Sequence, residues 1–246
     1  MKQEDILEDI CFNLNKNLSQ CLPKELYHVT SCDSLIKILN SNIFRIKRAS
    51  TYRNHELELG RNVFRRVLFE KAIVTGTDIK TNSIFDNTIR HEFYHANDVF
   101  IGCFSEELSD KIWQRNDVCL VINPMKLRKQ TGGAFTKIIY DNSLGVNITK
   151  PISDFIDNIM VNSTGVTKIE QWLMEAMSYA YVTKHNRFSW EKEWRIRKTI
   201  QNHNCDTLDL SLNGSIIKII TNPNISKFKR KRIKTICHLK NIKIDL

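Results

Sequence analysis

The sequence predicts a mixed α+β fold in a single domain, and three observations point there. Short segments of alternating apolar character are interleaved with segments of helical period along all 246 residues. No internal repeat or low-complexity linker divides the chain. Apolar residues make up 41 %, with only 8 glycines and 4 prolines, which is enough for a core and carries no fibrous or disordered bias.

The elements follow in order. Ile6, Leu7, Ile10, Leu14 and Leu18 recur at helical spacing, so residues 1–22 form a helical brace that Pro23 closes. Leu26–Thr30 reads as a strand, Ser31 with Asp33 and Ser34 caps a helix over Leu35–Asn40, and Ile43–Lys47 alternates as a strand. Helices are expected over His55–Val74 and Ile84–Ala96. Strands at Val99–Phe104, Val118–Ile122 and Phe135–Tyr140 are separated by Asn-Pro and Gly-Gly turns. Helices near Ile152–Val161 and Thr167–Val182 precede a strand at Trp194–Ile200. The tail reads as strand Ser215–Ile220, helix Ser226–Leu239 and strand Ile242–Ile244.

Composition narrows the function classes. Seven scattered cysteines with no CxxC pair argue for reduced thiols, against a disulfide framework or a cysteine-rich zinc site. No run approaches the ~20 apolar residues of a membrane span, and the opening MKQEDILEDI lacks a basic, then apolar, leader. A cytoplasmic protein without a membrane partner is therefore expected. The net charge of +10 attracts polyanions, which makes nucleic acid a candidate partner, although a lysine-rich composition alone would produce the same excess.

Three constellations carry candidate chemistry. In Tyr27-His28-Val29-Thr30, alternation places His28 and Thr30 on one side, where an imidazole and a hydroxyl can hold a ribose or an amide. The commoner use of such a histidine is half-buried and satisfied by a backbone carbonyl. In Trp190-Glu191-Lys192-Glu193-Trp194-Arg195, alternation places Glu191, Glu193 and Arg195 on one face and the two tryptophans on the other. Such carboxylates suit a reaction that develops positive charge at a sugar carbon; a surface ion-pair strip is the alternative. In Gly102-Cys103-Phe104-Ser105-Glu106 a strand opens into a polar loop, and Ser105 either orients a carboxylate or serves as an ordinary helix cap.

Two further motifs compete. His91-Glu92-Phe93-Tyr94-His95 is a literal HExxH, in which histidines four apart on a helix chelate zinc and the glutamate serves as base; no third-ligand motif accompanies it. The run Lys227-Phe228-Lys229-Arg230-Lys231-Arg232-Ile233-Lys234 is either a phosphate-contacting helix or a solvated one.

Taken together, YHVTSCDSLIKIL, RASTYRNHELELG, VFIGCFSEELSDKIW and KHNRFSWEKEWR, in that order over residues 26–200, resemble the bacterial domain-of-unknown-function 2971 family. That family is similar in fold to the ADP-ribosyltransferases, in which a split pair of small sheets pinches NAD⁺. The resemblance implies that His28 holds the adenosine-side ribose with help from Thr30, and that Ser50 and Tyr52 line the nicotinamide end near Asn54. It implies that Phe104 and Ser105 belong to the NAD⁺ site, Ser105 supporting the catalytic acid. Glu193 would be that acid, stabilising the oxocarbenium as nicotinamide leaves, and Glu191 would guide or deprotonate the acceptor. The sequence departs from the family where His55 and Glu56 stand for Asp-Pro, with Glu58 keeping the acidic position, and where Phe188 stands for Trp. The implied activity is transfer of ADP-ribose from NAD⁺ to a macromolecule, nucleic acid before protein given the charge. It fits a toxin or phage-defence effector with a possible antitoxin or inhibitor partner. The alternatives are a zinc hydrolase on His91, Glu92 and His95, and a nucleic-acid-binding protein without catalysis.

Overall fold

In a computed structural model the described residues are 22–52, 98–113, 116–142, 182–200 and 203–245. The expected N-terminal brace, the helices over 55–74, 84–96, 152–161 and most of 167–182, and the HExxH segment lie outside them. The described residues form a mixed α+β fold built on a large, mostly antiparallel sheet with few helices.

The chain enters through β1 (Leu26–Thr30), then α1 (Cys32–Ser41), whose N-cap is Ser31, its hydroxyl accepting from the Ser34 N–H as the sequence anticipates. Next come β2 (Ile43–Arg48) and a single 3-10 turn at Ala49–Thr51. β3 (Val99–Ser105) leads to a one-turn helix, α2 (Asp110–Trp113), and to β4 (Val118–Ile122). The Asn-Pro after β4 is a helix start, not a bare turn. Asn123 caps α3 (Pro124–Thr131), accepting from the Lys126 N–H, while Pro124 occupies the first position, where its missing N–H is harmless. Gly132 then closes α3 in the left-handed conformation at φ 64°. The expected strand over 135–140 is two strands, β5 (Ala134–Lys137) and β6 (Ile139–Asp141), broken where the Ile138 N–H turns to the Glu193 carbonyl at 2.9 Å. β7 (Thr183–His185), a 3-10 segment at Asn186–Glu191 and β8 (Glu193–Thr199) follow. β9 (Thr207–Ser211), β10 (Ile216–Thr221), α4 (Lys227–Leu239, capped by Ser226) and β11 (Lys243–Asp245) complete the chain.

Nine strands form one sheet, with a path β11-β10-β4-β1-β3-β2-β9 and with β8 joining β3 to β5; β6 and β7 pair separately in parallel. β3 is the junction. β8 takes one of its edges over the full length, from Val99↔Thr199 to Ser105↔Glu193. The other edge is therefore shared: β1 meets it at Ser105 and β2 at Phe100 and Ile101. Between these pairings the sheet forks, and side chains take over the hydrogen bonds of the missing strand. His28 Nδ1 donates to the Cys103 carbonyl (3.0 Å) and the Tyr52 hydroxyl to the Ile101 carbonyl (2.8 Å).

One face of this sheet packs the main core: Leu26, Phe44, Phe100, Phe104, Leu120, Ile196 and, from α4, Ile233. Each such side chain contributes ~1.5–3 kcal/mol on burial. Gly102 sits on this face because a Cβ there would lie 2.6 Å from Ile46 Cγ2 and 2.9 Å from Phe44 Cε1. On the opposite face β3 presents Val99, Ile101, Cys103 and Ser105, and the register sets Glu193, Arg195 and Arg197 of β8 beside them. Among the described residues no helix is long and apolar enough to cross a membrane.

Candidate active site

A cavity of about 580 Å³ opens at the β1 end of the fork, lined by Tyr27, His28, Phe104, Ser105, Glu191 and Glu193, with Lys111, Asn116 and Trp190 toward α2. Of the residues singled out in the sequence, His28, Phe104, Ser105, Glu191 and Glu193 are thus on this lining. Thr30, Ser50 and Tyr52 are not. Thr30 shares the face of His28 but lies two residues farther along β1, where it pairs with Val118. Ser50 is exposed on the 3-10 turn, and the Tyr52 ring packs on Ala49, Val99 and Ile101.

The acidic strip is built differently from a continuous strand. Strand alternation fails there because His185 caps a 3-10 segment, accepting from the Arg187 N–H, and Lys192 adopts a left-handed φ of 41° before β8 begins at Glu193. Glu191 and Trp190 therefore belong to the 3-10 segment, and Trp190 is 36 % exposed while Trp194 is buried in the core. The carboxylates still meet, through a residue given no role in the sequence reading. Lys184 of β7 donates to Glu191 Oε2 at 2.6 Å and to Glu193 Oε2 at 2.8 Å, and Arg195 Nε donates to Glu193 Oε1 at 2.7 Å. The Glu193 N–H donates to the Tyr140 hydroxyl (2.7 Å), fixing the start of the strand.

Burial and charge separate the two acids. Burial pushes the Glu193 carboxyl up, but the Arg195 and Lys184 charges override it and hold it at about 2. Glu191 is raised above the usual carboxylate range, by burial first and by the neighbouring Glu193 charge, against the opposing Lys184. Burial would lower Lys184, yet the Glu193 charge and both carboxylate bonds carry it up to about 12. One carboxyl is thus held as an anion, while its neighbour gives up its proton less readily than an ordinary glutamate.

Ser105 Oγ lies 2.6 Å from the carbonyl oxygens of both Glu107 and Glu191. Its one proton serves one of them at a time, so it anchors the backbone of the 3-10 segment rather than a carboxylate. His28 takes the use that the sequence reading gave as commoner, a strand histidine bonded to a backbone carbonyl. Burial depresses its imidazole below the ordinary value, so it is neutral, with Nδ1 protonated and Nε2 left as an acceptor. Its ring stands against Phe44 (4.8 Å) and Phe104 (5.7 Å) on the core face, whereas Tyr27, Ser105 and Glu193 share the other face. His28 and Glu193 are both on the cavity lining but lie on opposite faces of the sheet, so the imidazole does not face the acidic strip across the pocket as the expected ribose-holding role requires.

Among the described residues no three His, Cys, Asp or Glu side chains are grouped to hold a metal ion. The basic run lies on α4, with two of its cations in ion pairs within the fold, Lys229 with Asp117 and Arg232 with Asp33, both at 2.9 Å. Asp117, which Lys229 pairs with, follows the lining residue Asn116 in sequence; no α4 residue is on the lining. No protein-family model, curated protein or solved structure matches this chain.

Proposed function

We propose that the protein is an ADP-ribosyltransferase that uses NAD⁺ as substrate, its forked sheet being the split sheet of that fold. One observation carries the reading: a depressed and a raised carboxyl, Glu193 and Glu191, share Lys184 on the wall of a ligand-sized cavity. Cleavage breaks the bond between the ribose C1′ and the nicotinamide nitrogen; its electron pair leaves with nicotinamide and C1′ becomes an oxocarbenium. Glu193, held by Arg195 and Lys184, supplies a pre-oriented anion for that charge. Glu191 takes the proton of the attacking acceptor as its oxygen or nitrogen bonds to C1′. Of the two acids Glu191 is the more accessible, with 25 % of its side chain exposed against 4 % for Glu193.

The net charge of +10 and the exposed Lys227, Lys231 and Lys234 of α4 favour a nucleic-acid acceptor over protein. The test is incubation with labelled NAD⁺ and, separately, RNA, DNA and cell protein. Label is expected on nucleic acid, and Glu191→Gln is expected to lower it ~10²–10⁴-fold. Label in none of the three, with NAD⁺ intact, refutes the reading. Salt-dependent nucleic-acid binding that survives this result would leave the protein as a binder without catalysis.

A further inference from the structure

The charges around the cavity do not cancel. Glu191 and Glu193 are matched by Lys184 and Arg195. Glu106 and Glu107, on the loop after β3, are held by Lys137 and Lys192 at 2.7 and 2.6 Å. The charge left over on the lining is Lys111, on α2. It makes no hydrogen bond or ion pair among the described residues, and its ammonium stands 5.8 Å above the exposed Trp190 ring. A ring face at an exposed site holds a cation weakly, so this ammonium is available to a stronger partner. The lining therefore runs from a carboxylate wall at Glu191 and Glu193 to an uncompensated cation over an aromatic plane.

We infer that Lys111 and Trp190 form the phosphate subsite of the ligand, in which Lys111 leaves the indole for a phosphate oxygen and the freed indole face receives a base. The inference rests on the proposed reaction and deepens it. It says that the site selects a phosphorylated nucleotide over the corresponding nucleoside, and that the selecting group is Lys111. The uncompensated cation fixes the orientation: the phosphates lie toward Lys111 on α2, and the sugar carbon lies toward the opposite end at Glu191 and Glu193. Asn116 and Tyr27, also on the lining, offer neutral hydrogen-bonding groups along the same wall.

ADP-ribose suits the test, because it carries the phosphates without a nicotinamide to release. Calorimetric titration of the full chain with ADP-ribose and with adenosine is compared for the unaltered protein, Lys111→Ala and Lys111→Glu, with tryptophan emission followed alongside. Lys111→Glu is expected to weaken ADP-ribose binding ~10-fold or more, a difference of about 1.4 kcal/mol, and Lys111→Ala by less. Adenosine affinity is expected to stay within ~2-fold. ADP-ribose is expected to change tryptophan emission in the unaltered protein, and Trp190→Phe to abolish that change. ADP-ribose binding unchanged in folded Lys111→Glu overturns the subsite and leaves the reaction standing. Absence of binding of ADP-ribose and of NAD⁺ to the unaltered protein overturns both.

Discussion

Lys184→Met removes the cation that two carboxylates share, and its effect on stability can be worked from the geometry. Lys184 is 7 % exposed and Glu193 4 % exposed, so little solvent screens the contact. In the fold the Lys184 ammonium titrates at about 12 against an ordinary 10.5. At ~1.4 kcal/mol per unit this is ~2 kcal/mol, present below the unfolded value and lost as pH rises through the folded one. Glu193 is held at about 2 against an ordinary 4.5, which gives ~3 kcal/mol, present above 4.5 and lost as pH falls toward 2. These are two views of an overlapping set of contacts and do not add; the Glu193 figure is larger because Arg195 contributes to it. Glu191 works in the opposite sense: its raised carboxyl weakens the fold above its unfolded value and is relieved by protonation. Lys184→Met is thus expected to lower stability by ~2–4 kcal/mol at pH 7, a fall in Tm of ~5–15 °C. The deficit should shrink between pH 7 and pH 5, because protonation relieves the already raised, now unpaired Glu191 carboxyl, and Lys184→Met/Glu191→Gln should recover part of it at pH 7. Urea denaturation at both pH values measures this. A deficit below ~0.5 kcal/mol at pH 7, or one that grows on acidification, refutes the linked-carboxylate account.

Two other substitutions probe the sheet that carries the site. Gly102→Ala drives a methyl to within 2.6 Å of Ile46 and 2.9 Å of Phe44, and is expected to destabilise by ~1–3 kcal/mol in urea denaturation; a neutral result would mean that the β2–β3 packing is looser than these distances imply. Arg197 of β8 is buried with no hydrogen bond or ion pair among the described residues, and burial lowers its guanidinium to about 10. Arg197→Met, of similar length without the charge, is expected to raise stability by ~1 kcal/mol or more, and a loss of that size would reveal a partner for the guanidinium.

Much of the sheet was legible because its central strands are apolar on both faces. Val118–Ile122 is buried throughout and its bounds match the sequence reading. The helix after Ser31 and the one after Ser226 follow from capping side chains three residues upstream of the N–H they accept from. β9 was missed because Thr207–Ser211 is an edge strand whose Asp209 faces out to pair with Arg45 across β2, so its hydrophobic signal falls on Leu208 and Leu210 alone. Glu191 and Glu193 were readable as chemistry-bearing residues, but alternation gave the wrong local structure, since nothing in Arg187-Phe188-Ser189-Trp190 distinguishes a 3-10 segment from a strand. Lys184 escaped notice because its meaning is tertiary: a three-residue strand beside β6 presents one ammonium to two acids, and only the fold shows that they share it. Signals for it did exist, since Lys184 opens the KHNRFSWEKEWR segment and lies within nine residues of both carboxylates.

Release of free nicotinamide from NAD⁺ is the most direct measurement, because it reports cleavage of the glycosidic bond whatever the acceptor. Followed by NMR, nicotinamide should accumulate with the unaltered protein in the presence of nucleic acid and should fall ~10²-fold or more with Glu193→Gln. NAD⁺ that stays intact with the unaltered protein, or nicotinamide release that Glu193→Gln leaves untouched, contradicts the assignment of this cavity as the active site.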